Sequence, residues 1–184
     1  MIFCSAHPAT HLTKEMKREA VEASVNGLKQ AGINFIVILP DSDWAPVQRA
    51  VMNDSAFQCV SVSNEGTGVG VCAGAWLAGK KPAVLIPTAG ILAAAFPLTT
   101  LNMQKDIPLL MIIPYRGSLG DGFWFMGPYN FTTEPILRDL HVAFGVVDKI
   151  DEIGPAITRA QLSAEAWLQP TAVLLTGDII FDES

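Results

Sequence analysis

Short apolar runs alternate along this chain with longer segments in which apolar residues recur every three or four positions. Residues 10–30 place Leu12, Met16, Ala20, Ala23 and Leu28 on one side of a helix, with Gly32 beyond it as a stop signal. Residues 34–39 read as a strand whose apolar run from Phe35 to Leu39 suits cover on both faces. The pattern then predicts helices over 44–52, 65–78, 91–101 and 151–168, and strands over 57–62, 83–86, 109–113, 145–147 and 172–175. Strands and helices in this rhythm imply right-handed crossovers and a three-layer α/β/α fold around a six-stranded parallel sheet. Ligands of such sheets sit beyond the strand C-termini. Ser42, Glu65, Thr88 and Arg116 each follow a predicted strand, so the fold alone directs them toward one edge.

The stretch 115–131 departs from the rhythm. It holds Gly117, Gly120, Gly122, Gly127 and Pro128 beside Phe123, Trp124, Phe125 and Tyr129, and reads as a long irregular loop. Loops of this length in compact domains are commonly functional, and the aromatic residues point to a lid or a partner-binding loop.

Composition narrows the picture. The 184 residues suffice for one domain, taken as 1–184, with no repeat or linker. Half the residues are hydrophobic and only 16% are charged, which predicts a large oligomeric interface. A net charge of −6 argues against nucleic acid, which needs a basic face. No apolar run reaches the 18 or so residues of a membrane span and no signal-peptide pattern opens the chain, so the expected location is the cytoplasm. Cys4, Cys59 and Cys72 lack the spacing of a zinc site or a disulfide framework, and Cys72 reads as a packed thiol. His7 and His11 have Pro8 between them and no acidic or cysteine partner nearby, which disfavours a metal pair. His141 reads as a surface or satisfied histidine.

The chemistry concentrates in Asn64 to Pro82, where Glu65 stands between a strand and a helix rich in small residues. Gly68-x-Gly70-x-x-Ala73 looks like a dinucleotide fingerprint, but that motif needs an acid after the next strand. Ile86, Pro87 and Thr88 occupy those positions, and a Glu at the helix start repels a pyrophosphate. A structural reading is also open, with a Gly/Ala face packed on a neighbour and Glu65 as a favourable helix N-terminal charge.

Glu65, Gly70, Gly74, Trp76, Gly79 and Lys80-Lys81-Pro82 are similar in order and spacing to the Glu-x4-Gly-x3-Gly-x-aromatic-x2-Gly-Lys-[Lys/Arg]-Pro series of one enzyme family. The chain resembles the pyrimidine-binding domain of thiamine-diphosphate-dependent decarboxylases, in particular those that act on sulfopyruvate and phosphonopyruvate. Gly27 to Phe35, Leu39-Pro40-x-Ser42, Gly90, Leu101-Asn102, Ile107 to Leu110 and Arg116-Gly117 extend the resemblance across residues 20–176.

The resemblance implies the thiamine-diphosphate-binding fold of the pyrimidine type, with Glu65 hydrogen-bonding the aminopyrimidine ring and favouring the imino tautomer that takes a proton from the thiazolium carbon. It places Thr88 and Gly90 at the cofactor, and Ser42, Tyr115 and Arg116 at a 2-oxo-acid substrate. Arg116 carries a guanidinium suited to a carboxylate, sulfonate or phosphonate. Gly120-Asp121-Gly122 copies the start of the family's magnesium and diphosphate motif. The asparagine that completes that motif is missing from 141–150, so the segment reads as a turn. The diphosphate and Mg2+ are therefore expected from a beta subunit, with the active site at the interface and a homo-oligomer around it.

Three departures mark this chain within the resemblance. Gly66 and Thr67 replace further acids, Pro87-Thr88-Ala89-Gly90 replaces Gln-Asn-Ser-Gly, and Tyr115-Arg116-Gly117 replaces His-Arg-Gly. A non-catalytic binding or assembly protein of the same fold, or a carboligase subunit, are the competing readings.

Overall fold

The structure is a computed structural model, and it describes residues 16–118, 121 and 125–177. Cys4, His7, His11, Leu12, Gly120, Gly122, Phe123 and Trp124 lie outside the described residues. The helix expected over 10–30 begins only at Arg18: Lys17 before it has extended backbone, and Met16, expected on its apolar side, precedes it.

Six strands form one all-parallel sheet: β1 (Phe35–Ile38), β2 (Gln58–Ser61), β3 (Pro82–Leu85), β4 (Leu109–Tyr115), β5 (Ala143–Val147) and β6 (Pro170–Thr176). Their order is β2-β1-β3-β4-β6-β5. Val37 pairs with Val84, Val84 with Met111, and Met111 with Ala172, so one buried row crosses the sheet. The continuous apolar runs became the central strands because both of their faces are covered. The mixed sequence of β2 went to one edge; β5 lies at the other although it is apolar throughout, and leaves Ala143, Gly145 and Val146 exposed.

Two apolar layers hold the helices. On one face, α1 (Arg18–Gln30), α2 (Ala45–Met52) and α6 (Ile150–Trp167) pack Leu28, Trp44, Val51 and Ile157 against Ile36, Leu85 and Ile112. The opposite face carries α3 (Glu65–Leu77), α4 (Gly90–Pro97) and α5 (Gly127–Asp139), whose Val69, Cys72, Ile91, Ala94 and Leu137 meet Val37, Val84 and Met111. Helices α1 and α6 cross at glycines. A Cβ on Gly27 would lie 2.8 Å from the Gly154 Cα, so the backbones approach as closely as helices can.

Two further elements differ from the sequence expectation. The helix expected over 91–101 is α4 followed by a π-helical segment, Leu98–Met103. Pro97 has no N–H to donate and interrupts the α ladder. Thr99 and Thr100 then donate their hydroxyls to the carbonyls of Ala95 and Phe96, each at 3.0 Å. The irregular stretch expected over 115–131 is shorter than predicted, because α5 begins at Gly127. Gly127-Pro128 read as a loop, yet proline at the first turn of a helix starts one, since its missing N–H has no intrahelical partner to lose.

Among the described residues no helix is long and apolar enough to cross a membrane.

Candidate active site

The sheet reverses its winding between β1 and β3, and the segments leaving β1, β2, β3 and β4 meet at the strand C-termini. Glu65 is the first residue of α3. Asn64 caps that helix by accepting a hydrogen bond from the Thr67 amide at 3.1 Å, which fixes where the helix starts and hence where the carboxylate stands. An acid in the first turn complements the helix dipole.

Glu65 is half-buried and lies against Gly90, the first residue of α4. A Cβ on Gly90 would fall 2.6 Å from Glu65 Cγ and 2.8 Å from its Oε1. The glycines of α3 divide into two sets. Gly68 faces Val37, Val62 and Val84 inside the chain, whereas a Cβ on Gly74 would meet nothing within 4 Å and one on Gly70 only Leu101 at 3.9 Å. One flank of the helix behind Glu65 is therefore bare backbone and open. Leu77 and Leu92 and Phe96 of α4 are exposed close by in the fold, Phe96 at 76%.

The second group of residues is already tied together. Thr88 is buried; its hydroxyl donates to the Pro114 carbonyl and accepts from the Arg116 amide at 3.2 Å, stitching the ends of β3 and β4. Arg116 is buried as well. Nε and Nη2 make a bidentate pair with Asp121 at 2.8 and 3.0 Å, and Nη1 binds Asp43. Burial opposes its charge, and Asp121 and Asp43 more than offset that, holding its pKa above the ordinary value. The planar fork expected to face a substrate anion thus grips two carboxylates of its own chain. Asp121 also accepts the Gly117 amide at 2.8 Å, and its own amide donates to the Ser118 carbonyl at 3.0 Å.

Asp43 stands next to Ser42, which is exposed. Asp41 accepts from the amides of Asp43 and Trp44 at 2.8 and 3.1 Å and shapes the entry to α2. Burial, followed by the like charge of Asp43, raises the Asp41 pKa. The Tyr115 hydroxyl donates to Glu134 of α5 at 3.0 Å, and burial followed by that bond pushes its pKa up to about 12. Cys72 is buried against β3, and burial pushes its thiol up, as a packed thiol requires.

The predicted site residues therefore form two clusters at one edge. Glu65 touches Gly90, and Thr88 joins Arg116, with Asp43 bringing the loop of Ser42 alongside. Tyr115 turns toward α5. Sequence reasoning missed Asp41, Asp43 and Glu134. The one available signal was the Asp-x-Asp pair flanking Ser42 directly after a strand.

The donor set suits one half of a thiamine diphosphate. A half-buried carboxylate at a helix start, beside a glycine that leaves it room, fits a heterocycle with ring nitrogens. Among the described residues no group of three His, Cys, Asp or Glu side chains is placed to hold a metal ion.

A doubly wound parallel sheet, with Glu65 at a helix start and a bare helix flank at its switch point, defines the class of this α/β domain. The family description "Thiamine pyrophosphate enzyme, N-terminal TPP binding domain" matches residues 18–118, and the chain belongs to this family. Among similar proteins is the sulfopyruvate decarboxylase subunit alpha of Methanothermobacter thermautotrophicus, 36% identical over 70% of this chain and 78% of that protein. The corresponding subunit of Methanococcus maripaludis is 28% identical over 85% and 93%. A phosphonopyruvate decarboxylase of Streptomyces viridochromogenes is 32% identical over 86% of this chain and 41% of its own length. In fold, the chain is similar to a 2-oxoglutarate:ferredoxin oxidoreductase from Magnetococcus marinus, with a TM-score of 0.69 at 18% identity over 91% of this chain and 30% of that one.

Proposed function

We propose that this protein is the pyrimidine-binding alpha subunit of a two-subunit thiamine-diphosphate-dependent 2-oxo-acid decarboxylase acting on sulfopyruvate- or phosphonopyruvate-like acids. The observation that carries the reading is the placement of Glu65 at the first turn of α3, half-buried against Gly90 at the strand C-termini. Similarity to alpha subunits over most of their length supports the partnership.

Thiamine diphosphate, when bound, supplies the electron sink for loss of carbon dioxide from a 2-oxo acid. The chain's own residues prepare it. The Glu65 carboxylate holds a proton at the pyrimidine ring nitrogen, and the bare flank of α3 lets a second surface approach without steric conflict. The exposed Leu77 of α3 and Leu92 and Phe96 of α4, which packs on α3, extend that flank as an apolar rim that excludes water once covered. Asp43, Arg116, Asp121 and Thr88 hold the neighbouring loops in register.

The diphosphate and Mg2+ belong to a beta subunit in this reading, and so does a cation for the distal acid group of the substrate. Coexpression with the candidate beta subunit, co-purification, and assay against a panel of 2-oxo acids with thiamine diphosphate and Mg2+ test the proposal. Carbon dioxide release by the complex and none by either chain alone is the expected result. Full turnover by the isolated chain, or an inactive complex with every acid, contradicts it.

A further inference from the structure

Gly90 needs an explanation that its backbone does not supply. The described glycines with positive φ are Gly32, Gly79 and Gly117, and Gly90 is not among them, so an alanine there is conformationally ordinary. Glycine at the first turn of a helix also sacrifices helix propensity. The three atoms nearest to a Cβ at this position are Cγ, Oε1 and Cδ of Glu65, at 2.6, 2.8 and 3.1 Å. All belong to one side chain, and the first two are closer than real Cβ atoms come to any neighbour. A Cβ on Gly66 would lie 3.1 Å from the Ala93 carbonyl and 3.4 Å from Pro97, so the first turn of α3 packs closely against α4 beside the carboxylate.

We infer that Gly90 is a positioning residue whose missing side chain sets the depth at which the Glu65 carboxylate sits. The inference rests on the reading of Glu65 given above. A methyl group at 90 leaves the fold a simple escape, because the Glu65 side chain rotates outward to solvent. The carboxylate then stands away from the place where a ring nitrogen meets it, and misplacement by about 1 Å costs on the order of 10²-fold in rate.

The test combines two measurements on Gly90→Ala. In the isolated chain, urea unfolding of Gly90→Ala, Glu65→Ala and the double variant forms a thermodynamic cycle that needs no activity. Residues in contact couple, and a coupling of about twofold or more in the unfolding constant is expected. The double variant takes the methyl group without conflict. In the complex with the beta subunit, kcat of Gly90→Ala falls about 10²-fold while KM for the 2-oxo acid changes little.

A cycle with no coupling overturns the inference. So does wild-type kcat in Gly90→Ala, provided Glu65→Gln is inactive. Should Gly90→Ala not fold while the double variant does, the coupling is established by that fact; should neither fold, glycine serves the backbone and the inference falls. An active Glu65→Gln enzyme instead defeats the reading of Glu65 itself.

Discussion

Replacing Arg116 by methionine separates a guanidinium that holds the fold from one that waits for substrate. The arginine is 4% exposed, and it joins Asp121 at 2.8 and 3.0 Å and Asp43 across a sequence separation of 73 residues. Methionine fills a similar volume but leaves two carboxylates without their cation, with Asp41 close by as a third. Removing one member of a buried ion pair typically costs about 3–5 kcal/mol. In a chain of this size about 1 kcal/mol moves the melting temperature by about 2–4 °C, so a fall of about 6–20 °C is expected. Thermal and urea unfolding of the purified chain, without cofactor or partner, read the fall in melting temperature and in free energy. Adding Asp43→Asn and Asp121→Asn to Arg116→Met removes the uncompensated charges and is expected to restore more than half of the loss. A variant within about 1 kcal/mol of the wild type refutes the reasoning and returns the guanidinium to the substrate.

Other substitutions probe the frame and the acidic loop. Gly27→Ala places a methyl group 2.8 Å from the Gly154 Cα and is expected to destabilise by about 1–3 kcal/mol in a denaturant titration. Gly154→Ala meets its nearest atom at 3.8 Å and is expected to be neutral or slightly stabilising by the same measurement. Asp41→Asn keeps the oxygen that accepts from Asp43 and Trp44 and removes a charge that burial and Asp43 disfavour. Because the folded pKa lies above the unfolded one, charged Asp41 lowers stability at neutral pH and the deficit disappears as the pH falls through its titration. The variant is therefore expected to melt higher than wild type at pH 7 and to match it below about pH 4, the usual Asp range; an equal gain at both pH values contradicts this account.

The central strands were legible in the sequence because burial on both faces leaves an uninterrupted apolar run, as in β1 and β4. The start of α3 was legible because an acid followed a strand and preceded a run of small residues. Helix α5 was hidden by Gly127-Pro128, which read as part of a loop although proline at a first turn begins a helix. The widening after Pro97 depends on hydroxyls that close the exposed carbonyls, a local rescue that periodicity does not reveal. At the edge of the sheet the sequence supplied positions but no pairings. That Arg116 meets Asp43 and Asp121, that Thr88 joins two loops, and that Gly90 faces Glu65 are consequences of topology bringing distant strand ends together.

Hydrogen–deuterium exchange at the thiazolium carbon of thiamine diphosphate, followed in the two-subunit complex with wild-type chain and with Glu65→Gln, tests the central claim most directly. The carboxamide has nearly the same volume and still hydrogen-bonds, but it does not share a proton with the pyrimidine ring. Loss of a positioned proton-transfer group typically costs about 10²–10⁴ in rate, and exchange in the variant is expected to slow by that factor while the complex still assembles. Equal exchange rates in the two proteins contradict the assignment of Glu65, whatever the variant does to turnover.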